Sequence, residues 1–156
     1  MAKKRIKVFL DSNVILSGFM SDKGPPRIIL DLLSLELPVL AGVTGEYNII
    51  EIERNLKKKM PELWSVYKKY LPDLNLEIIP LPDRKSLEQW SGGINASDMP
   101  VLVSAIKAKA DYLITGDKDF TGFKGRDKLS FKIITPSKFV DIVIPVIRVR
   151  SCFLQN

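Results

Sequence analysis

Residues 98–120 have the sequence DMPVLVSAIKAKADYLITGDKDF, and this stretch decides the fold. It predicts a helix over 100–110, because a proline suits the first helical turn and mostly apolar residues follow it. A short apolar strand over 112–115 comes next. One carboxylate therefore lies ahead of a helix, and two more lie just past the end of a buried strand. These acids are Asp98, Asp117 and Asp119.

The amino-terminal segment has a matching arrangement, since a predicted strand over 6–10 runs directly into Asp11, Ser12 and Asn13. The carboxyl ends of neighbouring parallel strands converge in the crevice where open α/β sheets bind ligands. We therefore expect Asp11 to lie near the acids of 98–120. Three or four clustered carboxylates suit a hard cation, so the pattern indicates metal-dependent phosphodiester chemistry.

Each acid also has a plain structural explanation, because aspartate is common at helix caps and in turns. A cap or turn accounts for Asp11 and for Asp98 when each is considered alone. The conjunction is more informative, because like-charge repulsion disfavours accidental clusters of carboxylates.

Strands and helices alternate along the whole chain. The predicted strands are 6–10, 37–43, 76–79, 112–115 and 132–135. The predicted helices are one opened by Pro25 or Pro26, then 45–60, 62–70, 86–90, 100–110 and 136–143. This alternation predicts a single three-layer α/β/α domain with a central, mostly parallel sheet. We expect the domain to occupy 1–143, with 144–156 as a carboxyl-terminal extension rather than a separate domain.

Composition excludes several classes of site. The 156 residues contain no histidine, which rules out Ser-His-Asp and Cys-His triads and histidine-bearing zinc sites. A single cysteine, Cys152, rules out an internal disulfide and fits a reducing compartment. We expect that the opening residues do not form a signal peptide, because only a short strand follows them, and the apolar run 139–149 is too short to span a bilayer. We expect a cytoplasmic protein without a membrane segment.

The net charge of +6 and the pI near 9.4 favour a polyanionic partner such as nucleic acid, and equally fit an ordinary basic protein. Lys118, Lys124 and Arg126 follow the acidic turn and are candidates for contacting an RNA backbone. A solvated loop explains these three residues equally well.

The helix over 45–60 contributes a further candidate acid. Glu51 lies on a polar strip with Asn48 and Asn55, beside the apolar stripe of the helix, and such a strip suits a polar cleft. Glu53 flanks the other side of the stripe, where an ion pair with Lys57 explains it. Periodicity alone leaves the choice between Glu51 and Glu53 open.

Taken together, these features resemble a PIN domain, the nuclease fold of VapC-type toxins and related ribonucleases. The resemblance covers nearly the whole chain. The segments that carry it are LDSNV at 10–14, Glu51-Ile52 with Leu56, Asp98 ahead of its helix, and TGDKDF at 115–120. The resemblance also predicts a Ser or Thr shortly before the helical glutamate, and Thr44 lies about one residue from that place.

The resemblance implies four catalytic acids, which are Asp11, Glu51, Asp98 and Asp117. The metal ligands it implies for Mg²⁺ or Mn²⁺ are Asp11, Asp98 and Asp117, with Asp119 as an auxiliary acid. Asn13 and Thr115 are expected to line the site.

The activity implied is a metal-dependent endoribonuclease that cleaves single-stranded RNA, with a toxin–antitoxin role, a small antitoxin partner and a homodimer as further expectations. Two alternatives stay open at this stage. One is a non-catalytic RNA- or protein-binding module on the same fold. The other is a different phosphate-handling α/β protein, such as a receiver or an aspartyl phosphatase.

Overall fold

A computed structural model of the protein describes residues 5–90 and 94–154, which form five strands and eight helices. The strands are β1 (Ile6–Leu10), β2 (Leu40–Gly45), β3 (Glu77–Ile79), β4 (Tyr112–Ile114) and β5 (Lys132–Ile134). The helices are α1 (Ser12–Met20), α2 (Pro25–Ser34), α3 (Glu46–Lys59), α4 (Trp64–Tyr70), α5 (Arg84–Glu88), α6 (Met99–Lys107), α7 (Lys118–Thr121) and α8 (Pro136–Leu154). Short 3-10 turns span Pro61–Leu63, Leu71–Leu74 and Lys124–Lys128.

The five strands form one parallel sheet in the order β3-β2-β1-β4-β5. The chain first builds the sheet outward from β1 to β3, and then returns to the other side of β1 to add β4 and β5. The order therefore reverses between β1 and β4. In open α/β sheets, ligands bind at such a reversal, beyond the carboxyl ends of the strands.

Strand β1 separates the two halves of the core, because successive side chains of a strand point to opposite faces. Val8 and Leu10 join the cluster beneath α1, α2, α3, α4 and α8. Phe9 joins the cluster beneath α6, which also contains Phe120 and Phe131. The sheet thus has helices on both faces, and the predicted three-layer α/β/α fold is confirmed.

Helix α1 is an element that the sequence pattern did not predict. It begins directly after β1, where the Asp11 carboxylate accepts the backbone N–H of Ser12. Val14, Ile15 and Gly18 are buried at helical spacing. The capping residues at 11–13 were visible in the sequence, but the helix has only nine residues.

Two predicted boundaries are wrong for identifiable reasons. Strand β2 begins at Leu40 and not at 37, because the backbone N–H of Leu40 closes a turn onto the carbonyl of Leu37. Helix α8 does not end at 143 but continues through Pro145 to Leu154. A proline inside a helix costs about 3 kcal/mol. Val143 and Ile147 are buried four residues apart across this position, and their packing offsets that cost.

Helix α8 therefore carries most of the segment that was assigned to a carboxyl-terminal extension, while residues 155–156 of that segment lie outside the described residues. The remaining predicted elements are present with ends shifted by at most three residues. In the described part of the chain, no helix combines the length and the apolar character needed to cross a membrane.

Candidate metal centre

Asp11 is the buried centre of the candidate site. Its side chain lies at the carboxyl end of β1 and is 5% exposed. One carboxylate oxygen, Oδ1, accepts the Ser12 backbone N–H at 2.8 Å and the Asn48 amide at 3.1 Å. The other, Oδ2, accepts the Thr115 hydroxyl at 2.6 Å and the Asn13 amide at 3.2 Å. Four donors therefore hold this carboxylate in one orientation.

Burial nevertheless raises the pKa of Asp11 above its ordinary value of 3.8. The hydrogen bonds from Thr115 and Ser12 oppose this shift, because they stabilise the charged form. The negative charges of Glu51 and Asp117 add to it. Asp11 is thus held in an environment that is already anionic.

Thr115 joins the loop after β1 to the loop after β4. Its buried hydroxyl donates to Asp11 and accepts the backbone N–H of Asp117 at 3.0 Å. The Asn13 side chain makes the same connection, because its amide approaches the Thr115 oxygen at 3.4 Å and its carbonyl accepts the Gly116 N–H at 3.1 Å. Residues about a hundred positions apart in sequence therefore form one polar network.

Three further carboxylates cluster beside this network. Asp98, Asp117 and Asp119 each offer one oxygen, and these oxygens all lie within 4.8 Å of one another. The Asp117 carboxylate accepts the backbone N–H of Asp119 at 2.9 Å. The side-chain amide of Asn95 donates to the Asp119 carboxylate at 2.8 Å. Asp98 begins α6 without a side-chain capping bond, so capping does not explain this residue.

The mutual repulsion of the acids is clearest at Asp98. Burial and then the charges of Asp117, Asp11, Asp119 and Glu51 raise the pKa of Asp98 to about 6. A cation would relieve this repulsion, and carboxylate oxygens are the ligands that hard divalent cations prefer. The donor set therefore fits Mg²⁺ or Mn²⁺.

Of the two candidate acids of α3, Glu51 is the one whose charge acts on Asp11 and Asp98. Glu51 is half-buried, and its charge raises the pKa of both Asp11 and Asp98. Glu53 instead contributes to the raised pKa of Tyr67, which lies in the aromatic cluster on another side of the helix. These interactions favour Glu51 over Glu53 as the candidate acid of α3.

The sequence pattern of the PIN-domain family matches residues 7–119, which include every acid described above. The chain belongs to the PIN-domain family. This membership separates it from the receiver and aspartyl-phosphatase alternatives. No curated protein matches the sequence.

Solved structures share the fold at low sequence identity. VapBC2 from Rickettsia felis, bound to a DNA fragment from its promoter, is 17% identical with a TM-score of 0.57 over 83% of this chain and 98% of its own. PAE2754 from Pyrobaculum aerophilum is 14% identical with a TM-score of 0.57 over 87% and 88% of the two chains. VapBC-1 from nontypeable Haemophilus influenzae is 17% identical with a TM-score of 0.55 over 84% and 98%.

In the structure of this PIN domain, the predicted site residues fall into two groups. The three-carboxylate cluster contains Asp98, Asp117 and Asp119. Asp11 and Glu51 lie outside that set but are electrostatically coupled to it, and Asn13 and Thr115 bind Asp11 directly.

The predicted RNA-contacting residues follow the acidic turn. Lys118 begins α7, and Arg126 lies in the 3-10 turn Lys124–Lys128 that Lys124 opens. Both Lys118 and Arg126 are exposed, while the side chain of Lys124 lies outside the described residues. Their contact with RNA remains a prediction.

The sequence analysis missed three residues of this PIN domain. Asn48 appeared only as a member of a polar strip, yet it is fully buried and donates to Asp11 and to the Ser12 hydroxyl oxygen at 2.9 Å. Asn95 was not singled out, although it binds Asp119. Burial, followed by the charges of Glu51 and Asp98, raises the pKa of Tyr47, which places this phenol beside the acids.

Asn48 fits because residue 45 is a glycine. A Cβ atom at residue 45 would lie 2.9 Å from Oδ1, the side-chain amide oxygen of Asn48, and 3.0 Å from the Ser104 hydroxyl oxygen. The hydroxyl of Thr44, which was expected near the helical glutamate, instead donates to the carbonyl of Leu10. The polar group near Asp11 on this side is therefore an amide from the next turn of the helix. The sequence signal that could have indicated Asn48 is its position three residues before Glu51, on the same side of the helix.

The raised pKa of Asp98 predicts a pH dependence of stability in metal-free protein. Between pH 3.8 and about 6, the folded state holds a proton at Asp98 that the unfolded state has lost. The contribution of this carboxyl to the free energy of unfolding is therefore full below pH 3.8 and is lost as the pH rises through about 6. We expect urea unfolding in EDTA to show this decline, and Asp98→Asn to remove it.

The control variant is Asp141→Asn, which changes an exposed carboxylate on α8 and should keep the wild-type dependence. Parallel stability curves for wild type and Asp98→Asn across this pH range would contradict the electrostatic account.

Proposed function

We propose that this PIN domain is a metal-dependent endoribonuclease that cleaves single-stranded RNA with Mg²⁺ or Mn²⁺. The observation that carries the proposal is the acid cluster itself: three carboxylate oxygens lie within 4.8 Å of one another, beside Asp11 and Glu51. Such a concentration of negative charge disfavours a bare polyanion. It is consistent with a site that a cation completes before the substrate binds.

Each residue has a defined part in this proposal. Asp98 and Asp117, with Asp119 as auxiliary, would hold the ion, and Asp11 would complete its environment from the buried side. Glu51 would add negative charge at the α3 side of the site. When bound, the ion supplies charge neutralisation at the phosphate and lowers the pKa of a water molecule. The hydrogen bonds from Thr115, Asn13 and Asn48 hold the Asp11 carboxylate in one orientation.

The net charge of +6 supports a polyanionic substrate, because it favours the approach of RNA outside the acidic pocket. Lys118, Lys124 and Arg126 are proposed backbone contacts, since they follow the acidic turn. Nothing among these residues recognises a base sequence, so the proposal names the substrate class and not the target.

Metal-dependent thermal stability tests the cation site without any substrate. A ligand present at 100 times its Kd adds about 2.7 kcal/mol to the free energy of unfolding. For a domain of this size, that corresponds to a rise in Tm of about 5–10 °C. We expect Mn²⁺ to produce such a rise in the wild type and in Asp141→Asn, and a much smaller one in Asp98→Asn.

This measurement also separates the nuclease from a non-catalytic binding module on the same fold. A module that only binds RNA or protein has no need of a cation at the acids, so its Tm should be indifferent to Mn²⁺. RNA cleavage in the presence of Mg²⁺ or Mn²⁺, absent in EDTA, is the direct test of the activity.

We further propose that the protein acts in the cytoplasm as the toxin of a toxin–antitoxin pair, forming a homodimer and binding a small antitoxin. Two of the similar solved structures are VapBC assemblies, which supports a protein partner. Ile142, Val146 and Val149 are exposed along one side of α8, as expected for a surface that a protein covers. Co-purification with the product of an adjacent open reading frame, and light scattering of the isolated protein, test these expectations. A monomer without such a partner would refute them.

A further inference from the structure

A cavity of about 380 Å³ opens directly beside the acids, and the proposed function does not use it. Its walls come from α1, from the first turn of α2, from the loop after β4 and from the first residue of α8. The lining residues are Asn13, Val14, Ser17, Pro26, Gly116, Asp117 and Pro136. The cavity therefore lies beyond the carboxyl ends of β1 and β4, where the strand order reverses and α/β sheets bind their ligands.

The chemistry of the walls selects a neutral, partly flat ligand. Of the seven lining residues, none is a lysine or an arginine, and the one charged group is the Asp117 carboxylate. A phosphate is therefore disfavoured inside the cavity. Pro26 and Pro136 are half-buried rings that offer apolar faces, while the exposed Ser17 offers a hydroxyl. An apolar wall with few polar groups is typical of sites that bind small organic groups.

The size of the cavity also limits what it can hold. Its volume lies near the lower end of the roughly 300–1,000 Å³ found for small-molecule pockets. That space suits a single base with its ribose better than a longer stretch of strand. Asn13 makes one wall rigid, because its side chain is already bonded to Asp11 and to Gly116.

We propose that this cavity binds one nucleoside of the RNA strand, immediately next to the phosphodiester held at the acids. The inference rests on the proposed function for the identity of the strand. It adds a subsite that fixes which phosphodiester reaches the acids, by holding the neighbouring base and ribose. Asp117, which lines both the cavity and the acid cluster, connects the two.

A cycle of protein and substrate changes tests the subsite. Ser17→Phe places a ring in the cavity from an exposed position of α1, and Ser34→Phe makes the same change at the exposed far end of α2. After the cut has been mapped on one RNA, the same RNA is made with a single abasic ribose on either side of that cut. The measured quantity is kcat/KM for each combination of protein and RNA.

We expect the abasic ribose on one side of the cut to lower the wild-type kcat/KM about tenfold, the scale of one lost base contact. Ser17→Phe should lower kcat/KM on intact RNA by a similar factor, and the two changes together should cost no more than either alone. Ser34→Phe should behave as the wild type. The subsite would be overturned if the losses of kcat/KM from Ser17→Phe and from the abasic ribose multiplied when the two changes were combined. It would also be overturned if an abasic ribose on either side of the cut left kcat/KM unchanged.

A titration with the four uncharged ribonucleosides separates this inference from the proposed function. We expect them to shift the NMR signals of the backbone amides of Val14, Ser17 and Gly116 in the wild type, and not in Ser17→Phe. If these shifts occur in a protein that cleaves no RNA, the nuclease proposal fails and the nucleoside cavity stands. If the protein cleaves RNA while the amides stay unshifted and the losses multiply, the cavity assignment fails and the nuclease proposal stands.

Discussion

Asp98→Asn should reduce RNA cleavage on the order of 1,000-fold or more, which corresponds to a loss of about 4 kcal/mol in transition-state stabilisation. Asparagine keeps the size of the side chain but removes the charge that attracts the cation. Asp98 makes no side-chain capping bond to α6, so the helix should form normally. The loss should therefore appear in kcat with Mg²⁺ or Mn²⁺, while the circular dichroism spectrum stays that of the wild type.

The same substitution should stabilise the metal-free protein near neutral pH. Burial and then the repulsion of four other carboxylates raise the pKa of Asp98 to about 6, and asparagine carries no charge that either effect can destabilise. An inactive variant that resists urea better than the wild type in EDTA is the specific signature of a charge kept for function. Asp11→Asn should also lose cleavage, whereas Asp141→Asn should retain it. Full activity in either Asp11→Asn or Asp98→Asn would refute the assignment of the site.

Thr115→Val should cost about 1–3 kcal/mol of folding free energy, because it leaves buried polar groups short of partners. Valine has nearly the same shape, so the change isolates the hydroxyl. That hydroxyl donates the 2.6 Å bond to Asp11 and accepts the N–H of Asp117, and Thr115 is fully buried. Urea denaturation measures the cost, and a fall in kcat should accompany it because Asp11 and Asp117 lose their common support.

Thr115→Ser is the matched control, because it removes a methyl group and keeps the hydroxyl. We expect the serine variant to retain most of the activity and more of the stability than the valine variant. Equal activity in the two variants would show that the hydroxyl does not position the acids.

The sequence predicted the layered fold and the gathering of its acids because these depend on short-range patterns. β1 ends at Leu10, directly before Asp11, and β4 ends at Ile114, shortly before Asp117, so the rule for parallel sheets places both acids at one edge. The choice of Glu51 required the rotation of α3 about its axis, which depends on packing and not on spacing. The run of α8 through Pro145 likewise depends on the burial of Ile147, a tertiary contact that overrides the local preference.

The network around the acids was harder to predict, because its amide members lie far apart in sequence. Asn48 contacts Asp11 because Gly45 leaves room for its side chain, and Asn95 reaches Asp119 from the turn that precedes α6. Asparagine is common in polar strips and loops, so composition gives no reason to single out these two. Their roles follow from three-dimensional proximity alone.

The reversal of strand order has a consequence for biosynthesis. Asp11 leaves the ribosome 104 residues ahead of its Thr115 partner, which follows only after β2 and β3 have extended the sheet on the other side. A nascent polypeptide that ends before Thr115 lacks Asp117, Asp119 and the hydroxyl that orients the first acid. On the proposed function, such a polypeptide cannot yet cleave RNA, and the capacity to cut arises only after β4 and the loop that follows it have joined β1.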